Sequence, residues 1–284
     1  KNDLEKILLV FVNTDSLNNA SSIAKEILQH DKTNQEAWIA YLTNAKINKL
    51  ELPFNNFKKI KEKENLSIVN FLFYDGYQNK KNNKEIAQSI LDMIKESMMQ
   101  NDNNILTYDY FLFYLSLSLN LNNGFNEAYF YMAQIYQKLK DFKKAEKFYS
   151  RVSKNHPLYL ESQKNISINI IYEKSLHEAE KSLIFLLKAY PKKESLLVTI
   201  ANFYQTTKQY DKAITYYSRI LKKVNINKEE RRQLLYMRGI CYERLDNWNS
   251  AENDFLESLE IDSESPQVLN YLAYGWIERN IFLD

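Results

Sequence analysis

Four segments of this chain align without gaps: DFKKAEKFYSRV, SLHEAEKSLIFL, QYDKAITYYSRI and NWNSAENDFLES. Their aligned alanines are Ala145, Ala179, Ala213 and Ala251, spaced by 34, 34 and 38 residues. Twelve residues upstream of each stands another small residue: Ala133, Ser167, Ala201 and Gly239. Three residues beyond those come large ones, Tyr136, Ile170, Tyr204 and Tyr242, and Pro157 and Pro191 repeat the spacing of 34. A fixed period of this length means one supersecondary unit used several times, each copy burying its apolar face against the next. Two helices cross closely only where neither presents a bulky side chain, and large residues then fill the flanking gaps. The small and large positions therefore predict pairs of helices, repeated.

The pattern resembles the tetratricopeptide repeat (TPR) family, whose 34-residue unit is two antiparallel helices joined by a tight turn. Small residues at the family's eighth and twentieth positions match in four consecutive units. The resemblance implies an all-α fold, a right-handed αα-hairpin solenoid (TPR superhelix) running through the whole chain as one body. Regular units are expected over 124–284, as 126–159, 160–193, 194–231, 232–265 and a truncated 266–284. Divergent TPR-like repeats are expected over 1–123. The fifth regular unit opens at Pro266 with Ser265 as N-cap, and Leu269, Leu272, Ala273 and Trp276 make its predicted buried stripe. At the other end, Lys1 to Asn34 read as a unit with Leu4, Ile7, Phe11, Ala20, Ala24 and Ile27 buried, and Trp38 opens the next at the family's aromatic site.

Between about residues 50 and 123 the pattern weakens. Helical stretches are expected near 53–63, 66–79, 84–100 and 107–121, the last closing a second helix before the unit at Asn126. Seven helical segments then precede Asn126, an odd number for paired helices, so one helix in 50–105 is expected to be unpaired. The sequence does not place that break.

Composition removes several classes of function. The chain has 38 Lys+Arg against 36 Asp+Glu in 284 residues, so it lacks the basic excess of a general nucleic-acid or anionic-membrane binder. Four Gly are too few for phosphate-cradling loops, and no Gly-x-Gly or Walker pattern occurs. No apolar run reaches the length of a transmembrane helix. Cys241 alone excludes a disulfide framework, and between Ile240 and Tyr242 in a first helix it reads as a packing residue. His30, His156 and His177 are far apart and have no His or Cys partner at helical spacing, so no metal site is expected. No nucleophile elbow or metalloprotease motif appears, and neither catalytic residues nor a cofactor are expected. The 21 Tyr and 15 Phe could stack on single-stranded nucleic acid, but most fall at helix-packing positions.

A partner-binding groove is what remains. In stacked TPR units the first helices line a concave surface whose variable positions face the bound partner. Carried onto this chain, those positions are Phe130, Gln134 and Gln137; Lys164, Ile168 and Ile171; Val198, Asn202 and Gln205; Tyr236, Ile240 and Glu243; and Asn270 and Tyr274. The set is apolar and amide-rich, and it lacks the repeated Lys and Asn clamp of the chaperone-binding TPR domains. It suits a peptide or a partner helix. The expected function is a non-catalytic protein–protein scaffold or adaptor, with helical-repeat RNA binding or an accessory subunit of an envelope enzyme such as a protease as alternatives.

Over 126–284 the chain also resembles TPR proteins of proteobacterial cell envelopes, some of them lipoprotein adaptors of a periplasmic protease. That resemblance implies a periplasmic or outer-membrane-associated location rather than a cytoplasmic one, although the lipidation Cys of such proteins is absent here. The chain is expected to continue past Asp284 with another amphipathic helix, and to self-associate through its C-terminal end.

Overall fold

The computed structural model describes residues 2–14, 16–50, 66–75, 79–99, 105–223 and 226–281. Fifteen helices occur among the described residues. They fall into two compact units, Lys1–Ile166 and Ser167–Asp284.

The first unit opens with α1 (Asn2–Asn13), α2 (Leu17–His30) and α3 (Gln35–Ile47). It continues with α4 (Ser67–Phe73), α5 (Asn83–Met99) and α6 (Ile105–Leu121). Then come α7 (Asn126–Lys138) and α8 (Phe142–Tyr149). Ala20, Ala24 and Ile27 of the predicted stripe are buried and Leu4 and Phe11 half-buried, but Ile7 is exposed and Leu8 is buried in its place; Trp38 is buried with its indole N–H donated to the Lys32 carbonyl at 2.8 Å. Asn34 caps α3 by accepting from the Ala37 amide, and its own amide donates to Glu5 of α1 at 2.8 Å. The predicted helix over 53–63 lies outside the described residues.

Two features of this unit depart from the expected repeat. The helix expected over 66–79 stops at Phe73 and gives way to two short antiparallel strands, β1 (Tyr74–Asp75) and β2 (Asn79–Lys80). The sequence there contains Asp75-Gly76, a hairpin signal that competes with helix propagation. The second feature is α6, whose Phe111, Leu112, Phe113, Tyr114, Leu115 and Leu117 are all buried. A helix apolar on every side needs neighbours on every side. It packs against α5 and α7, its neighbours in sequence, and also against α1 and α3. Tyr114 donates to Glu36 at 3.2 Å and Ser116 to Asn13 at 3.4 Å, the latter across 103 residues. Simple solenoids make contacts between adjacent repeats only. Here the N-terminal helix instead returns to α6.

α9 (Tyr159–Glu173) carries the chain from the first unit into the second. The second unit continues with α10 (Leu176–Ala189), α11 (Glu194–Thr206), α12 (Tyr210–Leu221) and α13 (Lys228–Arg244). It ends with α14 (Trp248–Ile261) and α15 (Pro266–Glu278). Every small residue of the repeat pattern is buried: Ala133, Ala145, Ser167, Ala179, Ala201, Ala213, Gly239 and Ala251. In the one long interval, 38 residues, α13 has 17 residues where α11 has 13, one additional turn at its N-terminus.

The turns repeat as well. Lys140, Lys208, Asp246 and Asn280 follow first helices at equivalent positions, and all have φ between 50° and 61°. The next amide donates back to the carbonyl of Tyr136, Tyr204, Tyr242 or Trp276 respectively, at 2.8–2.9 Å. This is the left-handed C-terminal cap that satisfies the last carbonyls of a helix.

The buried face of α15 differs from the predicted stripe. Val268, Leu272 and Gly275 are buried, while Leu269 and Ala273 are exposed and Trp276 is half-buried. Gly275 is the cause: with no side chain there, the Trp248 ring lies directly against the helix backbone and turns that face inward.

Candidate functional site

In the second unit the first helices of successive hairpins touch one another directly. The Gln205 side-chain amide of α11 donates to the Met237 carbonyl of α13 at 3.3 Å. The Tyr236 ring of α13 meets Tyr271 of α15 edge-to-face at 5.7 Å and leans on Phe255 at 6.2 Å. These contacts join α11, α13 and α15, the first helices that carry most of the predicted groove residues of the second unit. Asn202, Asn270 and Tyr274 are exposed, and Ile168, Val198, Tyr236 and Ile240 are half-buried.

The first unit treats its share differently. Gln134 is half-buried, but Phe130 is only 6% exposed and is held edge-to-face by Tyr149 at 5.6 Å. Lys164 is 8% exposed and its ammonium is paired with Glu161 one turn earlier. Neither side chain offers a free surface. The sequence register correctly puts them on first helices, but burial depends on neighbouring bulk that register alone does not carry.

A tyrosine–amide lock joins the two helices of alternate hairpins. Tyr149 of α8 donates its hydroxyl to Gln137 of α7 at 2.8 Å. Two periods later Tyr217 of α12 reaches Asn202 at 2.7 Å and Gln205 at 3.0 Å on α11. Burial pushes both phenols up, which keeps them protonated and able to donate. The hairpin between them carries an apolar pair at the same register, Ile171 and Leu183. Groove residues on these helices are thus fixed from behind by the second helix.

Cys241 is buried, and burial pushes its thiol up to about 12, with Gln205 pulling weakly the other way. Among the described residues, no three His, Cys, Asp or Glu side chains are gathered as a metal site would require. No helix there is long and apolar enough to cross a membrane.

One cleft escaped the sequence reasoning. About 420 Å³ opens in the first unit between the end of α1, α6, α7 and α8, lined among others by Asn13, Asn120, Tyr129, Lys147, Phe148 and Arg151. The Arg151 guanidinium lies 5.5 Å from the Tyr129 ring centre and 5.8 Å from that of Phe148. None of the predicted groove residues lines it. It exists only because α1 returns to α6, which no local pattern announces.

Residues 193–264 match a family model described as Tetratricopeptide repeat, and residues 127–159 match another of the same description. Among solved structures the chain is similar to TTC0263, a thermophilic TPR protein in Thermus thermophilus. The two are 16% identical, with 67% of this chain and 99% of that one covered and a TM-score of 0.50. It is also similar to YrrB, a TPR protein with an unusual peptide-binding site, at 12% identity, coverage of 67% and 90%, and a TM-score of 0.43. Pseudomonas aeruginosa pilF is 10% identical, with 96% of each chain covered and a TM-score of 0.43. At such identities the likeness is one of fold. With matched repeats in both compact units, paired helices and the small-residue crossings buried, the chain carries tetratricopeptide repeats over residues 127–159 and 193–264 in an all-α repeat fold.

Proposed function

We propose that this protein is a non-catalytic adaptor that binds a peptide or a partner helix on the face shared by α11, α13 and α15. TPR repeats are in general protein–protein interaction modules, and that much applies here through the matched repeats. The observation that carries the narrower reading is the contrast across α13 and α15. Leu235, Cys241, Val268 and Leu272 are sealed inside, while Asn270 and Tyr274 are exposed and Tyr236 and Ile240 half-exposed. Exposed aromatic and amide side chains on rigid helices give contact area and hydrogen bonds at low conformational cost. A place in the cell envelope, beside a protease or another enzyme, is part of the same proposal and rests on the resemblance of residues 126–284 alone.

The test is affinity capture with the full chain and identification of partners by mass spectrometry. It is followed by the double variant Asn270→Ala, Tyr274→Ala. Binding is expected to weaken at least tenfold while the circular dichroism spectrum stays that of the parent. Unchanged affinity would move the binding face elsewhere on the molecule.

A further inference from the structure

The lock position of the last complete hairpin is occupied by a residue that makes none of the lock's hydrogen bonds. By register, Glu243 of α13 stands where Gln137 and Gln205 stand in earlier hairpins, and Phe255 stands where Tyr149 and Tyr217 donate their hydroxyls. Phe255 is fully buried and has no hydroxyl to give. Its ring fits because Gly239 leaves room: a β-carbon there would lie 2.6 Å from the ring. The second lost contact lies on the groove side. Gln205 uses its amide N–H to reach the Met237 carbonyl on the next first helix, and the equivalent carbonyl for Glu243 is that of Tyr271. A carboxylate has no proton to offer it.

Glu243 therefore makes neither of the lock's two hydrogen bonds. Its side chain is 22% exposed, and its buried Oε2 accepts no hydrogen bond and has only a long ion pair, 3.5 Å, with the exposed Arg244. Leaving a buried carboxylate oxygen without a donor is costly, so such groups call for a partner that supplies one. The surroundings narrow the kind of partner. Of the groove residues on α11, α13 and α15, Glu243 is the one that carries charge, and the phenol of exposed Tyr274 is pushed up first by its hydrogen bond to Glu278, with the field of Glu243 adding a smaller part. A carboxylate beside an exposed aromatic ring and an amide-lined strip complements a guanidinium or an ammonium.

We propose that Glu243 is the selectivity residue of this face, anchoring a Lys or Arg side chain of a bound peptide segment laid across α11, α13 and α15. The assignment rests on the groove reading above. It adds the chemistry of the ligand: a partner segment that is amphipathic and basic at one position.

The experiment uses the full chain and fluorescent decapeptides built on one Ala/Ser/Leu host, with Arg, Lys, norleucine, Gln or Glu at the centre. Fluorescence anisotropy reads affinity at low and high salt. The parent should prefer Arg and Lys over norleucine by about tenfold, less at high salt. Glu243→Gln should bring all five peptides to parity, and its thermal midpoint should equal or exceed the parent's, because the restored amide can reach the Tyr271 carbonyl. Glu260→Gln removes the same charge from an exposed site on α14 and should keep the preference. An unchanged preference in Glu243→Gln, or no cationic preference in the parent, overturns the assignment. So does a parent that binds none of the peptides. The groove reading itself is judged separately by the Asn270/Tyr274 variant, so the two can fail independently.

Discussion

Single side chains decide how closely these helices approach. At Gly239 an added β-carbon would fall 2.6 Å from Phe255, whose ring is fully enclosed and cannot swing away. Gly239→Ala is expected to cost about 1–3 kcal/mol, the usual range for overpacking, even though alanine is the better helix former by about 1 kcal/mol. A urea midpoint equal to the parent's would refute that steric reading. Two residues on, Cys241 tests the interior differently. Because its thiol titrates near 12, far above the ordinary cysteine range, almost no thiolate exists near neutral pH. Iodoacetamide at about pH 8 should leave it unmodified in the native protein and label it promptly in urea. Rapid native labelling would mean that α13 opens readily. Both residues were legible in the sequence as packing positions, from the twelve-residue offset to Ala251 and from the apolar neighbours of Cys241. Glu243 was legible only as a groove position. Its missing hydrogen bond emerges from comparing four lock positions at once, and from seeing that Tyr149 and Tyr217 donate while Phe255 cannot.

At the scale of the element, the repeat is carried as much by its turns as by its helices. In the regular repeats from Asn126 on, each first helix but that of the 160–193 hairpin ends on a left-handed residue, and none of those residues is glycine: they are Lys140, Lys208, Asp246 and Asn280. A side chain in that conformation costs roughly 1–2 kcal/mol, against roughly 0.5–1 kcal/mol of additional chain entropy for glycine. Lys208→Gly should therefore stabilise the α11–α12 hairpin by about 0.5 kcal/mol, seen as a rise in denaturant midpoint at constant slope. A lower midpoint would show that Lys208 contributes more than its backbone conformation. The small-residue crossings give the opposite expectation. Ala201 is wholly buried, so Ala201→Leu should cost about 1–3 kcal/mol by the same urea titration, and an unaffected midpoint would put the repeat register in error. These elements were predictable because their determinants are local: small residues at a fixed offset, or a cap within five residues. The element that was misjudged, the strand pair after Phe73, turns on a single Asp-Gly step inside an otherwise helical composition.

For the whole molecule, the sequence conveyed the repeat and missed the return of α1 to α6, because a contact spanning 103 residues leaves no periodic trace. It also misassigned the face of α15. Leu272 lies inside against the preceding hairpin, so Leu272→Glu would damage the fold and could not report on association. The apolar residues that α15 leaves open are Leu269 at 44%, Tyr274 at 63% and Ile277 at 60% exposure, two of them two turns apart on one strip with Ala273 between. Large exposed side chains in a row favour association, and a net charge of +2 supplies little repulsion to oppose it. The strip is a single helix face, well short of the roughly 1,600 Å² buried by a stable interface, so the association should be weak and concentration-dependent. Static light scattering over a dilution series should show an apparent mass above 33.8 kDa at high concentration and falling towards it on dilution. The effect should grow as the pH approaches the isoelectric point near 8.3, where the residual charge vanishes. Ile277→Glu, which adds a charge to the exposed strip without touching the buried face, should hold the protein monomeric throughout. A parent that is monomeric at every concentration, or a variant that associates as the parent does, would mean that this strip makes no contact between copies.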